Sequence, residues 1–133
     1  MNDAAFPITL TVNGIEYDML VGANDTLLDI LRQRLQLYSC RETCGIGVCG
    51  SCTVLVDGRA VSSCLTMAFM CSGVEVQTAE NRSTNRIRQA FIEHQAFQCS
   101  FCTPGFVMSI AAMLEEPSER RDAAAALSGH LCR

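Results

Sequence analysis

The chain has 133 residues, enough for one domain of ordinary size or two very small ones. It contains no lysine and has a formal net charge of −4, which argues against a nucleic-acid partner because such proteins usually carry a basic stripe. No apolar stretch approaches the length of a membrane span and the N-terminus does not look like an export signal, so we expect a cytoplasmic protein.

The first part of the chain shows the pattern of a small α+β domain. Asn13-Gly14 and Asp57-Gly58 are dipeptides typical of two-residue hairpin turns, and each is flanked by strand-like sequence. Asp25 or Thr26 can cap one helix between the two hairpins. We therefore predict a helix after residue 26 and five strands, over 8–12, 15–21, 53–56, 60–63 and 74–78.

After residue 80 the strand patterns stop and helical periodicity replaces them. Residues 81–85 are polar and predict a linker, and Thr103-Pro104 predicts an N-cap followed by proline at the first helical position. One helical face is predicted from Ile87, Ala90, Phe91 and His94, and a buried stripe from Val107, Ile110, Ala111 and Leu114. Pro117 should end that helix, Ser118 can cap another, and Gly129 can end it. The sequence thus predicts two domains, 1–80 and a helical 81–133.

Nine cysteines carry most of the chemical information. Their odd number and their C-x2-C pairs favour metal ligation in a reducing compartment over disulfides. A first set follows the C-x4-C-x2-C spacing of plant-type [2Fe–2S] proteins, with a fourth cysteine further along: Cys44, Cys49, Cys52 and Cys64. A second set consists of Cys99, Cys102 and Cys132. We therefore expect one complete iron–sulfur site and most of another, in a protein that transfers electrons.

The glycines between the ligands of the first set suit this chemistry. Gly45, Gly47 and Gly50 can adopt positive φ and let backbone N–H groups point at sulfur atoms. Such hydrogen bonds favour the reduced, more negative cluster and help to set its potential, which lies near about −400 mV in plant-type sites.

A zinc site is the main alternative for these cysteines. Two C-x2-C pairs, Cys49/Cys52 and Cys99/Cys102, would supply four thiolates. This pairing leaves Cys44 and Cys64 without a role and does not explain the three glycines between the ligands.

The other residues that could bind metal are expected to have structural roles. A Rieske centre needs two histidine ligands, and neither His94 nor His130 is paired with a cysteine in that manner. We interpret both as surface or packing residues. Cys40 and Cys71 are expected to behave as small buried hydrophobic residues.

Several stretches resemble the small iron–sulfur subunit, with two [2Fe–2S] clusters, of the xanthine oxidase family of molybdenum hydroxylases, which includes aldehyde, xanthine and carbon monoxide dehydrogenases. They read CGIGVCGSCTV from Cys44, SCL from Ser63 and QCSFCTPG from Gln98, supported by TLLDILR from Thr26 and LCR from Leu131. The resemblance covers almost the whole chain in the right order.

The resemblance implies a fold and a set of cofactors. In that family an N-terminal ferredoxin-like β-grasp domain holds the outer cluster near an FAD-binding subunit. A C-terminal all-α, four-helix-bundle domain holds the inner cluster near a molybdopterin cofactor in a large catalytic subunit. Carried over by position, the outer ligands are Cys44, Cys49, Cys52 and Cys64, and the inner ligands are Cys99, Cys102 and Cys132. Gln98 matches the glutamine that hydrogen-bonds the pterin, although it could also be a simple polar residue at a helix end.

The sequence departs from the family pattern at two points. Ser100 stands where the family usually has glycine. The family pattern closes with C-x-C, whereas this sequence stops at Arg133, so the resemblance implies a truncated sequence whose fourth inner ligand is missing.

The implied function is an electron relay from the molybdopterin site through two clusters to FAD or an external acceptor, with no substrate chemistry on this chain. The main alternative is a free-standing [2Fe–2S] carrier of the ferredoxin type. The weak charge, the absence of lysine and the second cysteine set argue against it. A zinc-stabilised interaction module and a thiol–disulfide exchange protein are further alternatives.

Overall fold

A computed structural model describes residues 5–115 and 122–133. Two hairpins supply four of the five strands of one mixed sheet. Both turns have positive φ at their two central residues, +52° and +83° at Asn13-Gly14 and +47° and +79° at Asp57-Gly58, which matches the twist of the flanking strands. The strands are β1 (Ala5–Val12), β2 (Ile15–Gly22), β3 (Thr53–Val56), β4 (Arg59–Ser62) and β5 (Glu75–Gln77).

The sheet order is β2-β1-β5-β3-β4. β1 pairs with β5 in parallel, and all other neighbours are antiparallel. The predicted strands are therefore confirmed, and their bounds shift only at the ends.

The predicted helix begins where a capping box satisfies its free N–H groups. The Thr26 hydroxyl accepts from the Asp29 N–H at 3.1 Å, and the Asp29 carboxylate accepts from the Thr26 N–H at 3.0 Å. The helix is α1 (Leu27–Asp29), and it continues as a π-helical turn over Ile30–Arg34.

The apolar side of this helix and one face of the sheet form the first hydrophobic core. Its members include Leu10, Val12, Leu27, Leu28, Ile30, Leu31, Val54 and Val76. Cys40 and Cys71 also belong to it, and each is 2% exposed, which confirms that they act as small hydrophobic residues.

The described residues after Asn81 are helical where they are regular. They form a 3-10 turn (Arg82–Thr84), α2 (Asn85–Glu93), α3 (Thr103–Glu115) and α4 (Ala123–Leu127). The α+β prediction is confirmed. Within the two described stretches, no helix is long and apolar enough to cross a membrane.

The predicted linker over 81–85 is wrong, because this segment is ordered by its own polar side chains. The Asn81 side chain accepts from the Ser83 N–H at 2.9 Å. Thr84 is completely buried, and its hydroxyl donates to the carbonyls of Ala79 and Asn81 at 3.0 and 2.8 Å. Buried polar groups that are hydrogen-bonded in this way are compatible with a folded junction.

Helix α3 packs on the opposite face of the sheet from α1 and forms a second core. Val54 and Leu55 are neighbours in β3, so their side chains point to opposite faces, and Leu55 joins Ala79, Val107 and Met108 in the second core.

Burial decreases along α3, and this corrects part of the predicted stripe. Val107 is buried and Ala111 is partly buried, but Leu114 is 70% exposed because the last turn extends beyond the packed region. The predicted roles of Pro117 and Ser118 fall outside the described residues. Asp122 caps α4, since its carboxylate accepts from the Ala124 N–H at 3.0 Å, and the helix ends shortly before Gly129.

Candidate iron–sulfur sites

The four cysteines of the first set lie close together beside the first core. Cys49 and Cys52 are buried in the loop that precedes β3, while Cys44 and Cys64 are half-buried. The Cys49 thiol helps to lower the pKa of Cys44, and the Cys52 thiol helps to raise the pKa of Cys64, so the members of each pair lie close to each other. The loop thus presents its sulfurs as two neighbouring pairs.

Backbone N–H groups surround the sulfur of Cys44. The Ile46 N–H donates to it at 3.4 Å, and the N–H groups of Cys49 and Val48 also contact it. These hydrogen bonds lower the pKa of Cys44 to about 6. The Ser51 N–H donates to the Cys49 sulfur at 3.5 Å. The expected N–H to sulfur bonds are therefore present, and they favour the thiolate, which is the form of cysteine that binds metals.

Cys64 shows the opposite electrostatic environment. Burial and the neighbouring Cys52 thiol raise the pKa of Cys64 to about 11, although the N–H of Gly47 lowers it in part. Gly47 makes that contact with φ at +76°, a conformation that glycine adopts easily. Since a thiol must lose its proton to bind a metal, binding at this position should release a proton.

The first set contains the number of thiols that a two-iron cluster needs. A [2Fe–2S] cluster takes four thiolates, two on each iron, which corresponds to the two observed pairs. Among residues 5–115 and 122–133, no three His, Cys, Asp or Glu side chains group around one point. This holds equally for the first set, for the second set and for the four cysteines of the zinc alternative, all of which lie in these ranges. All nine cysteines also lie there, and none forms a disulfide.

The three cysteines of the second set meet at the N-terminal end of α3. Cys102 directly precedes the helix, and Cys99 lies in the preceding loop. Burial raises the pKa of Cys102, and so do the hydrogen bond with the Cys132 thiol and the proximity of Cys132 and Cys99. Cys99 and Cys132 are exposed. Cys99 and Cys132 therefore both lie near Cys102, on a much more open site than that of the first set.

Gln98 lies at this open site. It is exposed and borders a hollow of about 450 Å³ together with Cys102, Cys132 and Phe106. Its side chain is thus accessible to a group approaching from outside, as the predicted pterin contact would require. Phe97, Phe101 and Leu131, which neighbour the three cysteines in sequence, are also exposed.

Arg41, which the sequence interpretation missed, and His130 connect the cysteine loops. Arg41 donates from its guanidinium to the Ser100 carbonyl at 2.8 Å. His130 packs against Gly50, so the prediction of a packing residue is confirmed for it, and His94 is exposed as predicted. The only sequence signal for either connecting residue was its position close to a predicted ligand.

Family models match both parts of the chain. Residues 10–84 match the model described as a 2Fe-2S iron-sulfur cluster binding domain. Residues 74–133 match the model described as a [2Fe-2S] binding domain.

Similar proteins include subunits of several oxidoreductases. The nicotine 6-hydroxylase small subunit of Paenarthrobacter nicotinovorans is 44% identical over 131 residues, with 95% of this chain and 79% of the relative covered. A probable xanthine dehydrogenase subunit of Bacillus subtilis is 36% identical over 130 residues, with 93% and 75% covered. The quinoline 2-oxidoreductase structure from Pseudomonas putida 86 superposes with a TM-score of 0.85 at 35% identity, with 97% of this chain and 83% of that chain covered.

Proposed function

The chain belongs to the small iron–sulfur subunits of the xanthine oxidase family of molybdenum hydroxylases and is an electron-transfer subunit of an oxidoreductase complex, and on this premise we propose which residues carry its two clusters. The outer cluster is held by Cys44, Cys49, Cys52 and Cys64, and the inner cluster by Cys99, Cys102 and Cys132. The observation that carries the proposal is the outer loop, in which backbone N–H groups donate to the sulfurs of Cys44 and Cys49, and one [2Fe-2S] family model matches each part of the chain. A bound [2Fe–2S] cluster accepts and releases single electrons.

The chain's own residues prepare the outer site for this role. The N–H groups around Cys44 stabilise negative charge on its sulfur and would also stabilise the reduced cluster. Burial of Cys49 and Cys52 keeps water away from one side of the site. Cys44 and Cys64 are the half-buried pair, so electrons should leave or enter on their side.

We propose two partner subunits on the strength of the relatives. Several relatives are named as subunits, so their activities belong to assemblies. In the proposed assembly a large subunit with molybdopterin faces the inner site, where Gln98 is exposed and can hydrogen-bond the pterin. A medium subunit with FAD, or an external acceptor, faces the outer site. The complex is proposed to be cytoplasmic.

We also propose that the chain is divided into a ferredoxin-like β-grasp domain over 1–80 and a helical domain over 81–133 that belongs to a four-helix bundle. The change from strands to helices after Gln77 supports this division, and the second core is where α3 packs on the sheet. The helices α2, α3 and α4 supply the described part of the bundle.

Paired substitutions test the ligand assignment. Cys49→Ser should remove one [2Fe–2S] signal from the low-temperature EPR spectrum of the dithionite-reduced complex, and Cys102→Ser should remove the other. Cys71→Ser is the matched control, since Cys71 is a cysteine of the first core that is assigned to neither cluster. Loss of the same signal from both ligand variants, or of no signal from either, would refute the two-site assignment.

The same variants test the relay. Cys49→Ser should leave reduction of the molybdenum site by substrate intact but block electron delivery to the acceptor. Unchanged turnover with the natural acceptor would show that the outer site is not on the electron path.

A further inference from the structure

Arg41 connects the outer cysteine loop to the inner one. Its main-chain N–H donates to the Ser51 carbonyl at 3.1 Å, which fixes it to the outer loop. Its guanidinium donates to the Ser100 carbonyl at 2.8 Å and lies 4.8 Å from the centre of the Phe101 ring. Ser100 and Phe101 are the two residues between Cys99 and Cys102. A charge-assisted hydrogen bond with ring stacking therefore holds the turn that carries two proposed inner ligands.

His130, which lies near the inner site, makes a second connection to the outer loop. Its Nε2 atom lies 2.6 Å from the Ser109 hydroxyl oxygen, and its ring centre lies 4.7 Å from that of Phe106. A Cβ atom placed on Gly50 would lie only 2.2 Å from the His130 Nδ1 atom, so the imidazole packs directly on the outer loop. The ring is thus held between α3 and the outer loop.

The residue after His130 extends this contact. The Leu131 N–H donates to the Cys49 carbonyl at 3.0 Å, so the segment that presents Cys132 is hydrogen-bonded to an outer ligand's own backbone. The start of α3 approaches the same place, because a Cβ atom on Gly105 would lie 2.2 Å from the Gly50 carbonyl oxygen.

These contacts converge on three consecutive residues of the outer loop, Cys49, Gly50 and Ser51. From them, we propose that Arg41 and His130 form an inter-loop brace, which we define as these two side chains with their contacts. The brace is a pair of positioning residues that fixes the distance and orientation between the two clusters. Electron transfer between fixed centres falls steeply with distance, so a brace at this position controls the internal step. The inference rests on the ligand assignment proposed above.

The test compares brace variants with matched controls in the purified, cluster-loaded complex. Arg41→Gln and His130→Ala remove the two side chains. Arg59→Gln and His94→Ala change an exposed arginine in β4 and an exposed histidine after α2, outside the contacts between the loops. Ser109→Ala removes the hydrogen-bond partner of His130 without changing the histidine. Arg41→Lys keeps the positive charge but lacks the planar guanidinium group.

Two measurements do not depend on turnover. The magnetic interaction between the two reduced clusters, seen as splitting in the EPR spectrum, depends on their distance and orientation. Hydrogen–deuterium exchange of the peptide that contains Leu131 reports the hydrogen bond to Cys49. We expect the splitting to change in Arg41→Gln and His130→Ala, and exchange at Leu131 to become about tenfold faster in His130→Ala and less so in Ser109→Ala.

The controls should match the parent complex, and Arg41→Lys should restore part of the parental splitting. Selective loss of the inner cluster from a brace variant, measured as iron per chain, would also support the proposal. Parental splitting and exchange in both brace variants would overturn it, and so would simultaneous loss of both clusters, because the side chains would then act on the fold as a whole. A parent complex with only one cluster would instead refute the ligand assignment.

Discussion

The two cysteine loops of this chain are built on different physical principles. The outer loop buries Cys49 and Cys52 to 3% and 2% exposure and surrounds Cys44 with N–H donors. The inner site leaves Cys99 and Cys132 exposed in segments outside the helices. The outer site is therefore organised by the first hydrophobic core itself, whereas the inner site is held by side-chain contacts from neighbouring segments of the chain.

Backbone conformation shows the same difference. The outer loop has glycine at its positive-φ positions, including Gly47 and Gly50, but the inner loop places Ser100 at φ +64°. A side chain in this conformation is strained by roughly 1–2 kcal/mol. The backbone of the outer loop can therefore adopt its conformation without strain, whereas the backbone of the inner loop needs other contacts to hold it in place.

The largest expected effect is a difference in fold stability between a variant of a buried outer ligand and a variant of an exposed inner ligand. Cys52→Ser should lose the outer cluster and destabilise the sheet domain by about 3 kcal/mol or more, because it removes bound iron and places a hydroxyl in the core. Cys99→Ser should lose the inner cluster and change the stability of the sheet domain by about 0.5 kcal/mol or less. Iron content and urea unfolding followed by circular dichroism measure both effects. Equal destabilisation by the two variants would remove the contrast.

A second experiment uses two neighbours on β3. Leu55→Ala should cost about 2–5 kcal/mol of stability because Leu55 is fully buried in the second core beneath α3. It should also speed the loss of inner-site iron to a chelator more than that of outer-site iron. Val54→Ala, on the opposite face of the sheet, should instead speed the loss of outer-site iron more than that of inner-site iron. If both variants released iron in the same order, the two cores would not support the two sites separately.

A third experiment removes the strain in the inner loop. Ser100→Gly should stabilise the protein by about 0.5–1 kcal/mol, since relief of the positive φ exceeds the added flexibility of the unfolded chain. It should also slow iron loss from the inner site. Gln95→Gly relieves a similar conformation, φ +50°, outside the cysteine pair, and should leave iron retention unchanged. Faster iron loss from Ser100→Gly would show that the serine side chain, not the backbone, supports the site.

The smallest expected effect is on the pH dependence of fold stability, and it comes from Glu80, which lies between the sheet and the helical segment. Burial alone would raise the pKa of Glu80, but hydrogen bonds from Ser39 and Thr78 outweigh it, so the pKa is lowered. A carboxyl with a lowered folded-state pKa stabilises the fold above its ordinary pKa, and this contribution is lost as the pH falls through the folded value.

Glu80 lies at the surface, so the contribution should amount to only about 0.3 kcal/mol. Glu80→Gln should lose it at neutral pH and show a weaker pH dependence of the urea midpoint below about pH 5. The Ser128 hydroxyl donates to the Ala125 carbonyl at 2.7 Å in another surface hydrogen bond, one without a carboxylate, so Ser128→Ala serves as a control that should leave the pH dependence unchanged. A parental acid profile in Glu80→Gln would contradict the role of this carboxylate.

Local signals in the sequence were sufficient for most of the sheet domain. Both hairpins follow from dipeptides that accept two consecutive positive-φ residues, and Thr26 caps α1 with a partner three residues away. Each of these features is decided by neighbours in the chain. The grouping of the first cysteine set also follows from a short spacing together with one strand hairpin.

Features that depend on distant contacts could not be predicted in the same way. The Arg41 contact with Ser100 joins residues 59 positions apart. Thr84 reads as part of a polar linker, but it becomes a buried residue because nearby carbonyls accept its hydroxyl. Leu114 fits the apolar period of α3 but lies beyond the packed length of the helix. Periodicity identifies a helical face without showing where its packing ends.

The central claim is that this one chain carries two separate clusters and relays electrons between them. The most direct measurement is low-temperature EPR of the reduced complex, combined with iron and acid-labile sulfide per chain. We predict about four irons per chain and two distinguishable [2Fe–2S] signals, because each cluster contains two irons. A single signal with half that iron would contradict the account and favour a one-cluster carrier of the ferredoxin type.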